Sequence, residues 1–390
     1  MTMTSAAGFL ILCGIGVLCL LSYNLVRMPA LALFAASLGA GPETVGLVVS
    51  VSTLTGVLLK LPAGTLSDIY GRRLLMGAGI LAFSLPPFAY PFVSDLQVLT
   101  GLRAVHGLAT AIFGPIALAT VAEMYPERRG AALGWYTAST QAGALLGPVL
   151  GGWLVYTVGF PRTFVSAGLF GGLGLILFFT LRFQASPPRS RDRRFWPSLA
   201  VLWKGFRAVA RNGRVLMTSA TDGAKMIANG ALMAFLPLYG VSAGLNPGEV
   251  GLLFGMQGMT SLLSKPAMGR LSDKVGRRPL ILLGLLICAG TFVLIPRVSG
   301  LMLLLGLAAG FGFGEAVVTS STSALVADLS ETGAIGAGMG MQGTIGDIGH
   351  ASGPLLAGVL IAQMGYQGAF TVIAAIQLVA AALFWVIMRK

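Results

Sequence analysis

The residues of this chain that could do chemistry are ionisable groups set inside long apolar runs. Asp222 and Lys225 stand three positions apart, as do Asp347 and His350, and Glu315 follows the glycine-rich stretch GFGFG. Residues three apart share one face of a helix. Asp222 and Lys225 could therefore neutralise each other, and Asp347 and His350 would titrate as a coupled pair. Burial disfavours the charged form of a carboxyl, so any of these acids could carry a proton near neutral pH. Glu315 ranks first as proton carrier because no basic residue lies within a turn of it, and the Asp347–His350 pair ranks second. Arg27 is a deep arginine with no acid one turn away in its own run, which makes it a fixed positive charge able to anchor an anionic substrate group. Arg103 has His106 one turn on. Ionisable residues at bilayer depth are costly and by default functional. Asn24, Gln141, Gln257 and Gln342 offer neutral hydrogen-bonding groups that could line the same cavity with Asp222 and Lys225. For each polar residue alone, the competing role is hydrogen-bonded glue between helices.

Other chemistries find no support. Cys13, Cys19 and Cys288 all lie in apolar runs, with neither a disulfide framework nor metal-ligand spacing. The segment GMGMQG (338–343) fits G-x-G-x-x-G, but no strand precedes it, and the first acid after it, Asp347, comes only four residues on. It reads as a helix-packing stripe rather than a dinucleotide loop. There is no phosphate loop and no serine elbow. The expectation is no cofactor, no metal and no enzyme.

The elements that must hold these charges are membrane helices. Hydrophobic residues make up 55% of the 390 and charged residues 10%, with a mean hydropathy of +0.84. Soluble domains carry about 25% charge, so the chain needs a bilayer as solvent. About 20 apolar residues cross the hydrocarbon. Twelve runs qualify, near 7–37, 43–63, 74–93, 97–123, 131–157, 162–182, 215–240, 248–268, 279–296, 299–326, 335–362 and 366–388. The net charge of +13 does not point to nucleic acid, because the basic residues sit in short gaps between the runs. Arg72, Arg73, Arg128, Arg129, Arg270, Lys274, Arg277 and Arg278 fall on one side with Arg389 and Lys390, and only Arg162 and Arg297 on the other. The positive-inside rule then puts both termini in the cytoplasm, in a multi-pass protein of the inner (plasma) membrane. The opening MTMTSAAG has no basic residue, and the apolar run behind it is too long for a signal-peptide core, so it is read as a retained first helix.

Residues 183–214 form a basic linker between the halves. QASPPRSRDRR (184–194) is polar and proline-rich. In 195–214, Trp196, Leu199, Trp203 and Phe206 mix with Lys204, Arg207 and Arg211, the pattern of an amphipathic helix held on anionic lipid. The flanks, 1–182 and 215–390, repeat each other. GTLSDIYGRRLL (64–75) and GRLSDKVGRRPL (269–280) are one motif shifted by 205 residues, GPETVGL (41–47) matches NPGEVGL (246–252) at the same offset, and Lys60 matches Lys265. Gly147–Pro148 matches Gly353–Pro354 with one extra residue. Two homologous six-helix halves, with a substrate site between them near the midplane, is the simplest architecture.

In the repeated motif, Gly64 and Gly269 would allow close helix approach. Asp68 and Asp273 could face the positive N-terminus of a helix from the other half. Arg72 and Arg277 could pair with acids at a neighbouring helix end, for which Glu123 and Asp328 are the candidates. Within GALLGPVLGG (143–152), Gly143, Gly147 and Gly151 form one small-residue face with Pro148 as a bend. With these motifs the whole chain resembles the major facilitator superfamily, and in particular its drug–proton antiporter branch. The resemblance implies that the repeated loop acts as a cytoplasmic latch between the halves. It further implies that 143–152 is the antiporter motif and that Arg103 takes part in proton transfer. One departure stands out: the first half has Arg27 and Arg103 deep in the membrane and no acid at comparable depth. That leaves room for an anionic or zwitterionic substrate.

The expected function is secondary active transport of a small organic molecule by alternating access, as proton-coupled efflux, by a monomer. The alternatives are an organic-anion uniporter or symporter anchored on Arg27, and a non-transporting membrane sensor with the same fold.

Overall fold

The computed structural model describes residues 6–181, 212–330 and 335–389. The amphipathic helix expected over 195–214 lies almost wholly outside the described residues. So does the side chain of Asp68. Every described element is helical, as a bilayer requires of a chain that must satisfy its own backbone polar groups.

In the first half the elements are α1 (Ala6–Leu25), α2 (Leu31–Ser37), α3 (Pro42–Tyr70), α4 (Arg72–Ser84), α5 (Pro86–Ala89), α6 (Leu96–Met124) and α7 (Arg129–Thr180). A wide turn at Val26–Ala30, with Met28 extended before Pro29, separates α1 from α2. The second half has α8 (Gly213–Ser242), α9 (Pro247–Val275), α10 (Arg277–Leu294), α11 (Leu301–Leu329) and α12 (Ile335–Arg389).

Twelve spans result. Nine described segments are long and apolar enough to cross a membrane. Two of them, α7 with 52 residues and α12 with 55, are too long for one crossing, since a helix rises about 1.5 Å per residue against a core of about 30 Å. Each breaks at a glycine, Gly159 (φ 79°) and Gly365 (φ 70°), a backbone region that only glycine enters freely. Each therefore supplies two spans. The twelfth is α9, the repeat partner of α3; it is more polar and carries Glu249, Gln257 and Lys265 along its length.

The backbone shows the internal repeat directly. Gly71 (φ 93°) and Gly276 (φ 100°) end α3 and α9 at matched positions, which is why the G-R-R motif keeps its glycine. Helix starts are fixed by side chains. Asp95 accepts from the amides of Gln97 and Val98 ahead of α6. Asn246 forms a capping box with Glu249, with Pro247 in the first turn of α9.

The chain divides into two compact units: Met1–Leu38 with Val51–Leu199, and Gly39–Ser50 with Ala200–Lys390. In the first, α1 lies along α7 and α4 along α6, around Leu12, Ile15, Cys19, Phe83 and Phe113. In the second, α8 lies along α12, and α11 along both α9 and α10. The opening turns of α3 belong to this second unit: Ser50 Oγ donates to the Ala351 carbonyl at 2.7 Å, and Gly358 packs on Pro42.

Candidate functional site

Each unit holds one buried polar centre. The centre of the second unit is built on α8. Its start is set by Asn212, whose side chain accepts from the amides of Arg214 and Val215, and the helix then carries Asp222 and Lys225 one turn apart. Lys225 Nζ donates to Asp222 Oδ1 at 2.9 Å and to Thr319 Oγ1 of α11 at 2.7 Å. Thr322 Oγ1 lies 3.4 Å from the same Asp222 oxygen, and Gln342 Nε2 of α12 donates to Thr322 Oγ1 at 3.1 Å and to Ser323 Oγ at 3.3 Å. Lys225 is 1% exposed and Asp222 7%. A buried charge is tolerated only when paired and hydrogen-bonded, and this pair meets both conditions. Glu315, half-buried one turn before Thr319 on α11, lies within electrostatic reach of Lys225. A cation from another helix thus faces an acid whose own helix supplies none. Asp347 and His350 are half-buried on α12. Gln257 is buried, and its main chain meets Gly312, which draws α9 close to α11.

The centre of the first unit gathers on Arg103, which is 0% exposed. Its Nη2 donates to Ser52 Oγ. Its Nη1 lies 3.3 Å from His106 Nδ1 and 3.5 Å from Tyr90 Oη. Tyr90 Oη and His106 Nδ1 are 3.1 Å apart, and Tyr23 Oη donates to Ser52 Oγ at 3.3 Å. The described partners of Arg103 are all neutral. Arg27 also lies near the Tyr23 ring: both guanidinium carbons lie 5.6 Å from the ring centroid, and Arg27 Nη2 donates to Thr53 Oγ1 at 3.2 Å. An aromatic ring attracts cations, so Tyr23 offsets part of the cost of holding two arginines within its reach. Asn24 is less available, since its Nδ2 donates to the Leu20 carbonyl at 2.8 Å and its Cβ is pressed by Gly147. Gln141 is exposed on α7.

At the arginine-rich helix ends, Arg72 makes two hydrogen bonds to Glu123, and its Nη1 donates to Ser67 Oγ at 3.2 Å. Arg277 bonds Asp328 Oδ2 at 3.3 Å, Asp273 Oδ1 at 2.5 Å and Ser272 Oγ at 2.5 Å. Among the described residues, a Cβ on Gly64 or Gly269 would meet nothing within 4 Å. The stripe in 143–152 does bring helices together. Gly143, Gly147 and Gly151 lie against Val17, Asn24 and Leu25 of α1, with Pro148 buried beside them. The second unit repeats this, with Gly349 and Gly353 of α12 against Gly223 and Ile227 of α8.

Tyr23, Ser52, Tyr90, Thr319 and Thr322 escaped the sequence reading. The signal available was a hydroxyl inside an apolar run, as in SVS (50–52) and VVTSSTS (317–323). No group of three or more candidate metal ligands occurs among the described residues.

Comparison with known proteins fits this architecture. A multidrug resistance efflux pump of Streptococcus pneumoniae is 27% identical over 352 residues, covering 88% of this chain and 86% of that protein. A multidrug resistance protein of Dickeya zeae is 28% identical over 386 residues, covering 95% and 91%. Among solved structures, an inward-facing, occupied bacterial homologue of the human lysosomal transporter Spinster superposes with a TM-score of 0.82 at 14% identity, covering 100% and 98%. The nucleoside transporter NupG superposes with a TM-score of 0.80 at 14% identity, and at that identity both likenesses speak for the fold alone. The sequence profile of the Major Facilitator Superfamily matches residues 10–246 and 223–390. With twelve spans, two repeated halves and a profile match along its length, the chain is a membrane transporter of the Major Facilitator Superfamily rather than an enzyme.

Proposed function

We propose that the protein exports a small organic molecule across the cell membrane by alternating access, driven by protons, with the arginine-rich helix ends in the cytoplasm. The observation that carries this reading is the Asp222–Lys225–Thr319 centre with Glu315 beside it. Charges inside the hydrocarbon cost stability, and a passive scaffold has no use for them. An acid near a movable cation can exchange a proton with the aqueous side that reaches it. Efflux follows from the kinship with proteins named multidrug resistance pumps. The repeated Arg72–Glu123 and Arg277–Asp328 pairs are read as a latch that sets the conformational balance.

Reconstitution into proteoliposomes with an imposed pH gradient tests it. Ethidium serves as a cationic probe and fluorescein as an anionic one. Accelerated movement of either against the proton gradient supports coupled exchange; rates indifferent to the gradient remove the proton from the mechanism. A second reading, transport of an organic anion, is favoured by the neutral partner set of Arg103. It is selected if fluorescein moves and ethidium does not.

A further inference from the structure

Two carboxylates and one ammonium occupy the polar centre of the second unit. Thr319 accepts from Lys225 at 2.7 Å and lies one turn beyond Glu315 on α11, so both residues share the face that meets Lys225. Cβ atoms four apart on a helix are separated by about 6 Å. The four-carbon stem of lysine is flexible enough to carry its ammonium across that distance. In this structure the ammonium rests on Asp222.

We infer that Lys225 is a tethered counter-ion shared by Asp222 and Glu315, and that it limits the pair to one exchangeable proton. The argument is one of charge. Lys225 is 1% exposed, so its cation needs an ionised carboxylate at every stage. Protonating both acids would strand a buried ammonium, which is strongly unfavourable. Leaving both ionised puts a net negative charge in low dielectric, a condition relieved by taking up one proton. When Glu315 holds the proton, Lys225 rests on Asp222 alone. When Glu315 loses it, the ammonium is drawn toward Glu315 and the hold on Asp222 loosens.

Other titratable groups on the helices packed here are Cys288 of α10, which is buried and within electrostatic reach of Lys225, and Asp347 and His350, half-buried on α12. A Cβ added at Gly346, next to Asp347, would lie 3.7 Å from Asp222 Oδ2. Gln342 Oε1 is buried without a hydrogen-bond partner, although its Nε2 is bonded to the Thr322 that touches Asp222. That open acceptor can take a proton donor once Asp222 is released.

This inference deepens the proton-coupling reading and rests on it, but its test needs no transported substrate. Infrared difference spectra of the lipid-reconstituted protein, taken across an acid titration, report protonated buried carboxyls through their carbonyl stretch. Asp222→Asn and Glu315→Gln assign the bands, which also subtracts Asp347. The wild type should show one titrating carboxyl from this pair, lost in Glu315→Gln. Lys225→Met should show two, the second lost on adding Asp222→Asn. Because Lys225→Met could misfold, the Lys225→Met/Asp222→Asn protein, which removes both charges of the ion pair, should fold and keep only the Glu315 band. Two bands in the wild type, or an unchanged count in Lys225→Met, overturn the shared counter-ion. A wild type that shows one band yet transports without response to a pH gradient leaves the charge argument standing and overturns the coupling it was meant to serve.

Discussion

Arg72 closes on Glu123 through two hydrogen bonds, Nε to Oε2 at 3.0 Å and Nη2 to Oε1 at 2.8 Å. The two residues are 51 positions apart, and Arg277 and Asp328 stand at the same separation in the second unit. A guanidinium fork gripping both carboxylate oxygens is the geometry that makes Arg irreplaceable by Lys.

The side chains of this pair are 21% and 42% exposed, so solvent screens it and its contribution to stability is about 0.2–1 kcal/mol. Glu123→Gln should therefore move the Tm by about 2 °C or less while lowering the transport rate several-fold. The charge-swapped Arg72→Glu/Glu123→Arg protein should recover most of that rate. Thermal unfolding in detergent and vesicle transport check the two halves of this statement. Failure of the swap to recover any activity would show that position, not pairing, matters here.

The glycines separate into two classes. A Cβ on Gly147 would lie 2.6 Å from Asn24 Cβ, and one on Gly171 would lie 2.7 Å from Ser84 Cα. Gly147→Ala and Gly171→Ala should each destabilise by about 1–3 kcal/mol, the usual cost of overpacking. Gly64→Ala and Gly269→Ala meet open space and gain helix propensity of up to about 1 kcal/mol. Their thermal stability should hold or rise, and any loss would then appear in transport alone. Denaturation curves of the four variants, compared side by side, decide it.

These contrasts show what the sequence could and could not reveal. The repeat was readable because the backbone itself repeats: Gly71 and Gly276 are fixed by positive φ, and such positions tolerate little else. Asp222 and Lys225 were readable as a pair because helix periodicity alone puts them on one face. The bond from Lys225 to Thr319 was not, since it joins residues 94 positions apart on helices whose rotation only packing fixes. Ser52 and Tyr90 were obscured for a second reason. Most Ser and Thr hydroxyls in these helices bond their own backbone a turn back, as Thr120 does to Ile116 and Ser139 to Trp135. A serine in an apolar run thus carries no mark of the arginine it serves. The motif glycines Gly64 and Gly269 point the other way: their spacing suggested contact, and a Cβ on either meets no described atom within 4 Å.

Arg27 gives a sharper prediction. Its guanidinium lies over the Tyr23 ring and donates to Thr53. If it anchors an anionic group, Arg27→Gln should abolish transport of an anionic probe while the protein stays folded and inserted. Arg27→Lys should recover only part, since a point charge lacks the fork. Tyr23→Phe keeps the ring beside both arginines and should retain most activity. Uptake of fluorescein by vesicles, with detergent-phase monodispersity as the folding control, measures this. Normal uptake by Arg27→Gln would make the residue structural.

Glu315 is the acid whose charge should set the coupling. It is half-buried, whereas Asp222 is buried and held by Lys225 at 2.9 Å. Glu315→Gln fixes the site in its neutral, proton-loaded form with Lys225 resting on Asp222. Transport down a substrate gradient and exchange of substrate across the bilayer should continue. Acceleration by an imposed pH gradient should fall to the level seen without one. Asp347→Asn should leave the acceleration largely intact. Initial rates in proteoliposomes, with and without the gradient, test both variants together. If Asp347→Asn uncouples and Glu315→Gln does not, the proton travels through α12 instead. If neither does, the arginine centre of the first unit becomes the place to look.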